Sequence, residues 1–168
     1  MRRQFNTERL IIRHAVEADA GDLLKLVNQK SFIKYIGDKK IYTLEDAITY
    51  IKQAFSEAHQ SQGFGPYVIT LKNQQLVGVV GFYSRAMLQH PDIGFALLTA
   101  FEKQGYIYEA AKALVENKSI YGINKLCAIA SIDNSASQNV LIKLGFKPQG
   151  QVIIDKESRS VVSLFSYH

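Results

Sequence analysis

Asp92-Ile93-Gly94-Phe95-Ala96-Leu97-Leu98 runs through Thr99–Gln104 into Gly105-Tyr106-Ile107-Tyr108-Glu109-Ala110-Ala111-Lys112-Ala113-Leu114-Val115. Asp92–Leu98 is an apolar run of the kind a buried strand carries, and the Ala-rich segment after the turn sets Leu and Val on one helical stripe. The first N–H groups of a helix have no acceptor inside it, and the helix dipole leaves partial positive charge there. A strand that ends where a helix begins is therefore a place where a phosphate or pyrophosphate fits without a basic cage. The turn holds one glycine, which is weak support for such a site, and an ordinary strand–turn–helix connection has the same pattern.

Working outward, Leu76-Val77-Gly78-Val79-Val80-Gly81-Phe82 is apolar enough for a central strand, and with Gly65–Leu71 across Lys72-Asn73-Gln74 it reads as a hairpin. Gly78 and Gly81 within it predict close backbone approach or a bulge. Thr43 is a good N-cap with Asp46 as its capping-box partner. Ile48, Ile51 and Phe55 then recur at core-facing intervals in a helix that lasts to about His59 and closes at Gln60-Ser61-Gln62-Gly63. Before it, Thr7–His14 alternates as a first strand, and Ala15–Gln29 carries Leu23, Leu24, Leu26 and Val27 at helical spacing. Ser31–Ile41 reads as a further helical turn or a lid. Downstream come a strand over Lys125–Ile132, a short helix over Asn134–Leu144, and strands over Phe146–Ile154 and Val161–Tyr167 around the charged turn Asp155–Arg159. The order β, α, α, β, β, β, α, β, α, β, β predicts an α/β fold, with antiparallel strands in the first half and a parallel crossover through the central helix.

With 168 residues, 47% of them hydrophobic and 21% charged, and a mean hydropathy of −0.05, residues 1–168 read as one globular domain able to bury a substantial core. Leu10-Ile11-Ile12 is too short for a signal-peptide core and no apolar run approaches bilayer length, so a cytoplasmic location and no membrane partner are the default expectation. A net charge of +5 and a pI of about 9.2 predict attraction to anions, but the basic residues are scattered, without the aromatic interleaving of a nucleic-acid face. No nucleic-acid partner is expected. Cys127 is the only cysteine, which excludes an intrachain disulfide and leaves a cysteine-based metal site without a second thiol. It reads as a small core residue of a strand, and no metal is expected.

The string Asp133-Asn134-Ser135-Ala136-Ser137-Gln138-Asn139-Val140-Leu141-Ile142-Lys143-Leu144-Gly145-Phe146 resembles the Asn-x-x-Ser-x-x-x-Leu-x-x-x-Gly-Phe signature of the GNAT superfamily of acetyl-CoA-dependent N-acetyltransferases. Thr7-Glu8-Arg9-Leu10-Ile11-Ile12-Arg13, Gly78-Val79-Val80-Gly81 and Asp92-Ile93-Gly94-Phe95-Ala96-Leu97 resemble the branch typified by the RimJ/RimL ribosomal-protein acetyltransferases. The matches keep the family order from residue 7 to about 150.

The resemblance implies a mixed sheet of about seven strands, splayed in the middle between the strands at Asp92 and Lys125, with about four flanking helices. It places acetyl-CoA, as co-substrate, in that gap. The pantetheine arm would pair with backbone near Ala96, Leu97 and Leu98, and the pyrophosphate would sit on N–H groups of Gln104, Gly105, Tyr106, Ile107 and Tyr108. Asn134 and Ser137 match the family positions near the pantetheine and the thiol. Their chemistry agrees: an Asn amide bonds both groups of a pantetheine amide, and a hydroxyl donates a proton to a departing thiolate. Asn134 also reads as the N-cap of the short helix, and the two readings are compatible.

The implied reaction is direct transfer, in which a neutral primary amine attacks the thioester carbonyl while a backbone N–H of the Asp92 strand polarises it. Asp92 matches a carboxylate common before the Ile-Gly of this strand, and it is the candidate for the amine-side role, against a plain edge-of-sheet charge. His90 lies nearby but follows no motif. Glu109 also matches a carboxylate of this branch, but its first reading is as a first-turn acid stabilised by the helix dipole. The departures fall in the pyrophosphate loop, where Lys103 replaces the first small residue of Gly-x-Gly-x-Ala and Ile107 the last, with Glu102 adding a negative charge. A β-branched side chain where backbone must approach a ligand is a steric objection. The alternative is therefore a non-catalytic GNAT-fold binding or regulatory module with an altered loop. The acceptor class spans a protein N-terminus, a small metabolite amine and an amine drug. The basic balance favours an acidic or neutral acceptor, and oligomeric state is left open.

Overall fold

Strands β1 (Phe5–Asn6), β2 (Leu10–Arg13), β3 (Pro66–Leu71), β4 (Leu76–Tyr83), β5 (Asp92–Leu97), β6 (Leu126–Ser131), β7 (Lys147–Asp155) and β8 (Ser160–Tyr167) form one sheet in the order β1-β2-β3-β4-β5-β6-β8-β7. The computed structural model describes residues 3–155 and 160–168. The helices are α1 (Ala20–Val27), α2 (Lys30–Tyr35), α3 (Leu44–Tyr50), α4 (Ala58–Gln62), α5 (Tyr106–Glu116) and α6 (Ser135–Lys143). Among the described residues no helix is long and apolar enough to cross a membrane.

The sheet has eight strands where about seven were expected, and the addition is β1. Thr7 turns the chain back, its N–H donating to the Leu10 carbonyl at 3.0 Å and its hydroxyl accepting from the Leu10 N–H at 3.1 Å. The expected strand over Thr7–His14 therefore begins only at Leu10, and Phe5 pairs with Ile12. Thr43 and Asp46 form the expected reciprocal box, Asp46 N–H to Thr43 Oγ1 at 3.1 Å and Thr43 N–H to Asp46 Oδ2 at 2.9 Å. The helix it starts widens into π-type turns over Ile51–Glu57, with Ile51 and Phe55 both buried, and ends at Gly63 with φ of 77°. Within the ambiguous Ser31–Ile41 stretch, residues 31–35 belong to α2, whose Phe32 is buried, and residues 36–41 are irregular. The β7–β8 turn expected at Asp155–Arg159 has residues 156–159 outside the described ones.

The two glycines of β4 fit their predicted reason. A Cβ on Gly78 would meet the Ala96 carbonyl oxygen at 2.2 Å, and one on Gly81 the Pro66 Cα at 2.4 Å. Strand β4 thereby packs closely between β3 and β5, and β5 pairs antiparallel with β4 along its whole length, from Gly78↔Leu97 to Tyr83↔Asp92. On its other edge β5 meets β6 in parallel at one matched pair, Asp92↔Cys127, where the Cys127 N–H reaches the Pro91 carbonyl at 2.8 Å. Beyond that pair the strands part, which is the expected splay.

Each face of the sheet carries its own core. Leu10, Ile12, Phe82, Leu114, Leu141 and Phe146 form the cluster beneath α5 and α6. Leu23, Leu26, Phe32, Phe55, Val68 and Val79 form the one beneath the helices that precede β3. Cys127, expected in the core, is half-buried, and burial with the nearby Asp92 charge pushes its thiol pKa up.

Candidate active site

The parting of β5 and β6 opens a cleft of about 760 Å³. The Leu98 N–H donates to the Val77 carbonyl at 2.8 Å, and Ala96 pairs with Val79. Strand alternation therefore turns the backbone groups of Phe95 and Leu97 toward the gap. Of the expected pantetheine residues, Leu97 presents its backbone there, whereas Ala96 and Leu98 direct theirs to β4. A side chain that nothing in the sequence marked enters here: Gln29, between α1 and α2, donates from Nε2 to the Leu97 carbonyl at 3.0 Å. Its Oε1 accepts from the Thr99 N–H at 2.7 Å and from the Thr99 hydroxyl at 3.1 Å. One amide thus closes the end of the β5 edge as a neighbouring strand would.

Beyond Leu97 the chain turns into α5. Gly105 is its N-cap with φ of 81°, and Lys103 takes φ of 60°, a left-handed conformation that a lysine adopts at a cost. The departing lysine thus keeps a glycine-like backbone. The Glu109 N–H bonds to the Gly105 carbonyl at 3.1 Å, so the N–H groups of Tyr106, Ile107 and Tyr108 have no acceptor within the helix. Ile107, the other departure, is half-buried and packs against the core beneath α5 while also lining the cleft.

The turn is held from β2. Arg9 Nε lies 2.6 Å from Glu109 Oε2 and its Nη1 donates to the Gln104 carbonyl at 2.9 Å. The Arg9 N–H and the Thr7 hydroxyl both donate to Glu109 Oε1, at 2.9 and 2.6 Å. Burial raises the Glu109 pKa, but the Thr7 and Arg9 bonds outweigh it and hold the carboxyl below its usual range. Glu109 is thus the partner of the Thr7–Arg9 segment, beyond the dipole effect that sequence reasoning assigned it.

Across the cleft, Asn134 Oδ1 accepts from the Ser137 N–H at 3.2 Å, so Asn134 caps α6 as expected. Asn134 and Ser137 both line the cleft, together with Asp92, Ala96, Leu97, Gly105, Ile107 and Tyr108. Leu98, Gln104 and Tyr106 stand outside the lining. Tyr106 instead lies beneath the Arg9 guanidinium, 4.6 Å from its ring centroid. An exposed ion pair, Lys34 Nζ to Asp133 Oδ2 at 2.7 Å, links α2 to the loop before Asn134.

At the other end Asp92 is 1% exposed, with Arg85 Nε 2.9 Å from its Oδ1 and 3.0 Å from its Oδ2. Burial raises the Asp92 pKa and Arg85 opposes that rise. Tyr83, opposite Asp92 in register, packs its ring where a Gly94 side chain would stand, and burial pushes its hydroxyl pKa up. Phe32, Tyr35, Ile36, Tyr50 and Phe55 also line the cleft; His90 does not. The cleft thus offers a long ligand an exposed strand edge, a run of helix N–H groups, a serine hydroxyl and aromatic walls. Those features fit acetyl-CoA.

The Acetyltransferase (GNAT) domain family matches residues 9–147. The uncharacterized N-acetyltransferase YoaA of Bacillus subtilis (strain 168) is 25% identical over 148 residues, 87% of this chain and 84% of that protein. The RimL ribosomal L7/L12 alpha-N-protein acetyltransferase, solved with coenzyme A, superposes with a TM-score of 0.83 at 20% identity, over 98% of this chain and 97% of that one. The microcin C7 self immunity acetyltransferase MccE, solved with acetyl-CoA and AMP, gives 0.81 at 20% identity, over 96% and 93%.

Proposed function

Because the chain belongs to the GNAT acetyltransferase family, we propose that its cleft binds acetyl-CoA and that it transfers the acetyl group by direct attack of a primary amine, from a protein N-terminus or a small molecule. The observation that carries this reading is the single parallel pair Asp92↔Cys127, beyond which β5 turns the backbone of Phe95 and Leu97 into the gap. Acetyl-CoA supplies an activated thioester. On the protein's side, the Phe95 backbone and the Leu97 N–H receive an extended arm as an added strand, the Leu97 carbonyl being held by Gln29, and the N–H groups of Tyr106, Ile107 and Tyr108 receive phosphate oxygens. Asn134, anchored as a cap, keeps its amide nitrogen for the arm. Ser137 donates its hydroxyl proton to the departing thiolate, and Asp92 is the amine-side carboxylate. The left-handed Lys103 and Gly105 favour this over the non-catalytic alternative, since they preserve the turn despite its altered residues. A protein N-terminus as acceptor gains support from the likeness to RimL, an alpha-N-protein acetyltransferase.

The test is thiol release from acetyl-CoA over a panel of primary amines, with Ser137→Ala alongside. Amine-dependent release is expected, and the variant lowers kcat more than it weakens acetyl-CoA binding. Acetyl-CoA binding without release on any amine would overturn the catalytic reading.

A further inference from the structure

Resting on the acetyl-transfer reading, we infer that the acceptor end of the cleft selects amines that also carry a carboxylate, received by Lys39 and the outer edge of Arg85. The anions at this end are already committed. Asp92 is held by Arg85 Nε, and Asp38 accepts from the Lys40 N–H at 2.7 Å and the Tyr42 hydroxyl at 2.7 Å. The cations keep donors in reserve, although the Arg85 guanidinium also lies over the Tyr83 ring, 5.6 Å from its centroid. The Asp92 pairing uses only Nε of Arg85, and among the described residues neither Nη nitrogen has a hydrogen-bond partner. Lys39 has no ion pair among the described residues, and both side chains line the cleft. Burial, and with it the Arg85 charge, pushes the Lys39 ammonium below its ordinary pKa, in keeping with two cations lining one cleft.

A guanidinium edge presents paired donors at carboxylate spacing, and an ammonium beside it adds donors without fixed geometry. Asp92 neutralises one of the two positive charges. The remaining single charge matches a carboxylate better than a doubly charged phosphate. The cleft lining of Phe32, Tyr35, Tyr50 and Phe55 suits an apolar side chain beside the amine and this anion.

The test compares leucine with leucinamide, and a peptide with glutamate at its second position with the glutamine peptide. Each is measured at equal concentration of neutral amine, by thiol release and by calorimetric binding to the protein saturated with CoA. The carboxylate member of each pair is expected to show about tenfold higher kcat/KM and tighter binding, the size of a charge-assisted hydrogen bond. The free amino acid and the peptide report separately whether the carboxylate belongs to a small molecule or a chain. Lys39 lies outside the helices and strands and holds no ion pair among the described residues, so Lys39→Glu leaves the fold intact and is expected to abolish or invert the preference. Arg85 is left alone because its removal strands buried Asp92. Thiol release with no carboxylate preference, or a preference indifferent to Lys39→Glu, would overturn this inference and leave acetyl transfer standing. Carboxylate-selective, Lys39-dependent binding without thiol release would support the selectivity and overturn the transfer reading.

Discussion

Arg9 Nε lies 2.6 Å from Glu109 Oε2, joining residues 100 apart in the chain. The same side chain donates to the Gln104 carbonyl and covers the Tyr106 ring, so the turn into α5 is braced from β2 at a carboxylate, a carbonyl and a ring. A helix start that must hold a phosphate group needs its N–H groups fixed beforehand, and this brace fixes them.

Glu109→Gln tests the brace. The half-exposed Arg9 limits the loss at neutral pH to about 1–2 kcal/mol. The sign follows from a folded-state pKa below the unfolded one. The ionised carboxylate stabilises the fold at pH values above the unfolded pKa, and that contribution is lost as pH falls through the folded pKa. Denaturant melts of both proteins are expected to differ near pH 7 and to converge in acid below the ordinary carboxylate range. A difference that persisted in acid would assign it to shape alone.

Lys103→Gly tests the loop backbone. Removing a side chain from a φ of 60° relieves about 1 kcal/mol of left-handed strain, partly offset by the freer unfolded chain. The variant is expected to melt at the same or slightly higher temperature and to bind acetyl-CoA at least as tightly. Loss of binding would show that the lysine side chain itself contacts the ligand.

Ile107→Ala decides between steric block and packing. Because Ile107 packs against the core beneath α5, its truncation is expected to cost about 1–2 kcal/mol of stability without tightening acetyl-CoA binding. Clear tightening would restore the steric objection.

Asp92→Asn tests the amine-side carboxylate. Burial raises the Asp92 pKa, so the ionised, proton-accepting form is lost as pH falls through a value above the ordinary carboxylate range. The kcat/KM profile of the wild type is expected to fall on that acid limb, and the variant to be slower with the limb flattened. An unchanged profile with a lowered Tm would reduce Asp92 to the anchor of Arg85.

Much of the fold was legible because its signals are local. Thr43 with Asp46, the apolar β4 strand and the Asn134–Phe146 string each act within a few residues. The splay followed from a family resemblance, since a strand that pairs once and then parts carries the same apolar pattern as one that pairs throughout. Strand β1 was missed because two residues carry no periodicity. The Arg9–Glu109 brace had both members in view, but its contact spans 100 residues and no local pattern encodes it. Gln29 left no signal either: a glutamine at a helix end is ordinary until the fold sets it against Leu97 and Thr99.

Acetyl transfer by this protein requires that the cleft, with its altered loop, accept acetyl-CoA. Calorimetric titration of the purified protein with acetyl-CoA tests it most directly. Saturable binding at a single site, tighter than millimolar, is expected. No heat and no thermal shift at millimolar acetyl-CoA would contradict it.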